Sequence, residues 1–118
     1  MAESDARAED ELSTLLLETR AHMMHVREAF NPPDFAPDPV TLNAWTDPKV
    51  SETDALAFVL ATGCLFGSPA RVRDQVAELR DVGVRHLLCQ TGFGAMSHDQ
   101  NIASMQRFGE QVMPAFRQ

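Results

Sequence analysis

"CLFGSPARVRDQVAELRDVGVRHLLCQTGFG", residues 64–94, is the stretch whose reading decides the fold. It opens on a short apolar run, "CLF", and turns at Gly67. Ser68 and Pro69 then supply the residue types of a helix N-cap and a first helical position. Val72, Val76 and Leu79 fall at i, i+4 and i+7, giving the predicted helix one apolar stripe, and Gly83 ends it where left-handed backbone angles are tolerated. "VRHLLCQT" reads as a second strand, followed by Gly92 and Gly94. Strand, crossover helix and strand form a βαβ unit, which predicts two short parallel strands joined by a right-handed crossover. That is the pattern of one slice of a (β/α) barrel. A closed barrel of eight slices takes about 250 residues, whereas this chain has 118.

Upstream, Leu12, Leu15, Leu16, Met23, Val26 and Phe30 keep mainly to helical spacing, and Glu9, Asp10 and Glu11 near the start favour the helix dipole. This predicts a long first helix behind an acidic tail, residues 1–8. The helix must stop at Pro32 and Pro33, which offer no amide donors. Residues 31–50 hold five of the seven prolines and the only tryptophan, so they read as a stiff, extended connection with Phe35, Val40, Leu42 and Trp45 as anchors. Ser51 and Asp54 outline a cap for a short apolar helix ending at Gly63. A last helix starts near Ser97, turns Ile102, Met105, Phe108 and Val112 inward, and ends before Pro114. The expected fold is therefore α/β and helix-rich: a partial (β/α) barrel fragment with two short parallel strands and about four helices.

Ten Lys and Arg against 17 Asp and Glu give a net charge of −7. With no basic run, the chain lacks the concentrated cationic face that binding nucleic acid requires. No apolar stretch is long enough to cross a bilayer and no signal-peptide pattern begins the chain, so a cytoplasmic location with no membrane partner is expected. Cys64 and Cys89 each sit in an apolar run and suggest neither a disulfide framework nor a zinc site.

A family resemblance rests on "GSPARVRDQVAELRDVGVRHLLCQTGFGAMSHDQNIASMQRFGEQVMPAF" together with the upstream "FNPPDFAPDPVTLNAW". The glycine-Ser-Pro turn, the "GV.HLL.Q" strand, the "FG...H" turn and the closing "F.EQVMPAF" resemble the end of the bacterial-luciferase-like flavin-dependent monooxygenases. The resemblance implies that residues 9–118 form a single domain like the C-terminal segment of that barrel, with strands at Cys64 and Arg85 similar to the seventh and eighth. It implies FMN or a deazaflavin as cofactor. The segments that carry most of that family's flavin contacts have no counterpart in this chain.

In barrels a phosphate often rests on the turns after the last two strands. Here that position belongs to Gly67, Ser68, Gln90, Gly92 and Gly94, with Thr91 beside them. The backbone amides of such turns hold an anion, or else the residues only form tight turns and a cap. His98 is of the residue type that serves as a proton donor or phosphate contact, and it also reads as a polar first-turn residue. His86 reads as an interior residue. Glu18, His22 and His25 share a helical face, but with no fourth ligand they read as a charged surface, not as a metal site.

Two functions remain open from the sequence. The chain is a truncated luciferase-like monooxygenase, completing a flavin site by self-association or by joining a longer luciferase-like chain, or it is a non-catalytic interaction module without the flavin site. Unpaired strand edges favour a homodimer or another partner under either reading.

Overall fold

The computed structural model describes residues 1–117. Among the described residues there are four α-helices: α1 (Asp5–Phe30), α2 (Glu52–Thr62), α3 (Pro69–Asp81) and α4 (His98–Arg107). The last continues through a π-helical turn, Phe108–Val112, into a 3-10 turn, Met113–Phe116. Pro114 can neither donate a backbone hydrogen bond nor tolerate the carbonyl one turn behind it, and the helix changes pitch around it.

Among the described residues there is no β-strand, which corrects the expected α/β barrel fragment. Both predicted strands are present as chain without a ladder. Residues 64–66 are too few to pair well, and the Phe66 amide donates instead to Gln75 Oε1 at 3.1 Å. Residues 84–93 run without turn or bend. Val84, Thr91 and Phe93 are of types that favour drawn-out backbone, but a strand also needs a neighbour to pair with, and no ladder forms here. With the strands goes the resemblance to the luciferase-like barrel, because its two quoted strands are its core. α2 and α3 stand where their caps and breakers put them, whereas α1 begins at Asp5, inside the stretch expected as a tail, and α4 gives way to the π turn at Phe108.

The chain forms two compact units. The first comprises Met1–Leu15 and the chain from Leu65 on. Here α1 starts at Asp5, ahead of the acidic cluster, because Ser4 caps it: the Arg7 amide donates to Ser4 Oγ at 3.3 Å. Ala2, Ala8, Leu15, Phe66, Val72 and Val112 are buried. The N-terminal stretch is tied down by the Ala2 amide, which donates to the Gly67 carbonyl, and by the Met1 amine, which donates to Ser104 Oγ at 3.0 Å. α3 packs against the π turn. Arg71 lies over the Phe66 ring at 4.5 Å and Arg80 over Phe116 at 5.5 Å, so both arginine stems cover apolar surface. On α4 the predicted inward set divides. Val112 is buried, Phe108 half-buried, and Ile102 and Met105 are exposed.

The second unit, Leu16–Cys64, is organised around a buried cation. Arg20, only 6 % exposed, donates from Nε to the Trp45 carbonyl (3.0 Å) and from Nη2 to the carbonyls of Asp47 (2.9 Å) and Val50 (3.0 Å). Arg27 Nη1 adds a bond to the Thr46 carbonyl at 2.8 Å. The proline-rich connection is thus fastened by its backbone oxygens. Of the predicted anchors, Leu42 and Trp45 are half-buried, whereas Phe35 and Val40 are exposed. The Ser51 hydroxyl accepts from the Asp54 amide and caps α2, and Ala55 is fully buried.

Candidate functional site

The Gly67–Ser68 turn is built as its sequence suggests. Gly67 has φ 131°, in the region that favours glycine, and the Ser68 hydroxyl accepts from the Arg71 amide to cap α3. What occupies the helix N-terminus is the chain's own carboxylate. The Ser68 amide donates to Asp5 Oδ1 at 2.7 Å, and a Cβ on Gly67 would fall 2.8 Å from that oxygen and 2.7 Å from Arg71 Cδ. The Ser68 amide, its hydroxyl and the Arg71 charge hold the Asp5 carboxyl below its ordinary pKa.

That shift has a predictable sign. A carboxyl depressed in the folded state stabilises at pH above its unfolded value, about 3.9, and loses the contribution as pH falls through the folded value. Asp5→Asn retains an acceptor but no charge. Urea midpoints are expected to differ between wild type and variant at neutral pH, with the gap narrowing below about pH 4.

At the second turn, Gly92 lies against α4. A Cβ there would come within 2.7 Å of Asn101 Nδ2, and Asn101 Oδ1 is buried without a hydrogen-bond partner. Gly94 has φ 57° in the following turn. The turns at Gly67 and Gly92 are thus filled by different side chains, Asp5 and Asn101. His98 is the exposed first residue of α4, enclosed by a capping box in which the Ser97 hydroxyl accepts from the Gln100 amide and the Gln100 side chain accepts from the Ser97 amide. His86 and Gln90 are exposed and Thr91 half-buried.

No cluster of three or more His, Cys, Asp or Glu suited to a metal ion occurs among the described residues, and His22 and His25 face outward. A groove of about 490 Å³ lies in the second unit, walled by Met24, Arg27, Pro32, Pro33, Phe35 and Pro48. It contains none of the predicted cofactor contacts. With no barrel face and with both turns occupied by the chain's own side chains, the residues present do not fit FMN or a deazaflavin, and the flavin expectation is corrected accordingly.

The surface that stands out is the drawn-out segment 84–93. Every residue from 81 to 90 is exposed, including Val82, Val84, Leu87 and Leu88, the last at 97 %. The Val84 amide donates to the Leu79 carbonyl, and the next backbone bond is from Met96 to Phe93. Among the described residues, the amides and carbonyls of 85–92 make no backbone hydrogen bond. Only one formally charged side chain, Arg85, lies between Val82 and Ser97.

The two thiols report on this exposure. Cys89 is exposed, while Cys64 is half-buried and burial raises its pKa. Under dilute conditions a disulfide reagent is expected to modify Cys89 first, with Cys64 reacting slowly and accelerating at higher pH. Equal rates would contradict the placement of both residues.

Among the described residues no helix is long and apolar enough to cross a membrane. Searches against protein-family models, curated proteins and solved structures give no match to this chain, so the luciferase-like monooxygenase reading has neither the fold nor a relative behind it.

Proposed function

We propose that this chain is a non-catalytic interaction module that self-associates as a homodimer through segment 84–93. The observation that carries this reading is the conjunction, within 84–93, of exposed leucine and valine side chains with a backbone that, among the described residues, makes no backbone hydrogen bond from 85 to 92. Unpaired drawn-out backbone flanked by apolar side chains is a template for another chain, and proteins that do not use such an edge usually cover it or charge it. Here it carries a single charge in a chain whose overall balance is −7. Exposed Ile102, Met105 and Met113 add apolar area on α4 and the turn after it. One self-complementary patch satisfies two identical chains, and closed two-fold dimers are the commonest oligomers.

Sedimentation velocity over the micromolar range tests the reading. A monomer–dimer shift with rising concentration is the expected result. A single monomer species throughout would remove self-association from the account.

A further inference from the structure

Building on the homodimer reading, we infer how the second copy docks: segment 84–92 pairs with the same segment of that copy as an antiparallel two-stranded ladder centred on Leu88. The occupant must be a strand, because what the segment offers from Arg85 to Gly92 is a row of amides and carbonyls that, among the described residues, make no backbone hydrogen bond, and only another drawn-out backbone matches that spacing.

Charge chooses the direction. A parallel, in-register pair would set Arg85 beside the Arg85 of the copy at about 4.8 Å, with no acidic residue in the segment to offset it. An antiparallel pair keeps the two guanidinium groups far apart.

Symmetry then chooses the register. A two-fold axis perpendicular to an antiparallel ladder must pass through a pair formed by one residue and its own copy, since neighbouring pairs alternate in hydrogen bonding and in face. Leu88 is the midpoint of 84–92 and, at 97 % exposed, its most exposed large hydrophobic side chain. With Leu88 on the axis, Leu87 stands opposite Cys89, His86 opposite Gln90, Arg85 opposite Thr91 and Val84 opposite Gly92. No like charges meet. The two leucine side chains cover each other on one face, while Leu87 and Cys89 pair twice on the other.

Single-cysteine chains test this register. In the full chain, Leu88→Cys in a Cys64→Ser, Cys89→Ser background places two thiols directly across the axis, at a Cα separation of about 4.5–5.5 Å that suits a disulfide. Cys64→Ser alone leaves Cys89, whose two copies lie diagonally beyond the reach of about 7 Å. Mild oxidation is expected to convert most of the Leu88→Cys chain to covalent dimer, with at least a tenfold lower yield for the chain bearing Cys89 alone. Because Leu88→Cys removes apolar surface, amide exchange on the unmodified chain supplies a second readout, with alternate amides of 84–92 protected at least tenfold in the dimer.

Equal cross-linking from both positions, or a dimer whose 84–92 amides exchange freely, would overturn strand pairing while leaving the homodimer reading intact. A chain that remains monomeric overturns both.

Discussion

Replacing Arg20 with methionine is expected to lower the unfolding free energy of the unit that contains it by about 2–4 kcal/mol. Arg20 is buried and satisfies the carbonyls of Trp45, Asp47 and Val50, so methionine keeps the apolar stem but strips three acceptors of a charged donor. A hydrogen bond to a charged group contributes about 1.5–3 kcal/mol net. The total stays below the sum of three, because carbonyls released with the connection are rehydrated. Trp45, the only tryptophan, lies 6.0 Å from the Arg20 guanidinium, so its fluorescence reports the release directly. The expected signature is a lower urea midpoint together with faster proteolysis within 31–50. A midpoint within about 0.5 kcal/mol of wild type, the range of an ordinary surface change, would show that the carbonyl contacts do not hold the connection.

The second large effect is Leu88→Asp. Leu88 makes no buried contact within its own chain, so folding stability should stay nearly unchanged. Association should not. Burying a leucine contributes about 1.5–3 kcal/mol, the two-fold axis removes two at once, and the aspartates replacing them face each other. The dimer dissociation constant is expected to rise at least about a hundredfold, since 1.4 kcal/mol is a factor of ten. Unaltered thermal unfolding with lost self-association separates this outcome from misfolding. A dimer as strong as wild type would place the interface elsewhere, with the exposed α4 residues Ile102 and Met105 next to be tested.

These two residues also show where sequence reading reached and where it stopped. The helices were legible because their boundaries are local: Ser51, Ser68 and Ser97 each cap a helix within three residues, and Pro32 and Pro33 bar the first from continuing. The strands failed because a strand is not a local object. Val84, Thr91 and Phe93 favour a drawn-out backbone, but the ladder depends on a second chain segment, and at 64–66 the Gln75 side chain takes the Phe66 amide.

The turn at Gly67 was legible as a turn and a cap. Its occupant was not, because Asp5 is 63 positions away and reads locally as one more charge in an acidic stretch. Arg20 carries no sequence signal of its role, since nothing local indicates that a cation will bind carbonyls 25 to 30 residues downstream. Asn101 likewise gave no sequence signal, because its fit against Gly92 depends on how α4 packs.

Amide hydrogen exchange across 84–93, measured on the unmodified chain at low and at high micromolar concentration, tests the central claim most directly. The account predicts free exchange of the amides from 85 to 92 in the dilute sample and marked protection of this segment in the concentrated one, with the helices nearly indifferent to concentration. Free exchange of 84–93 at both concentrations would contradict it, whatever the oligomeric state.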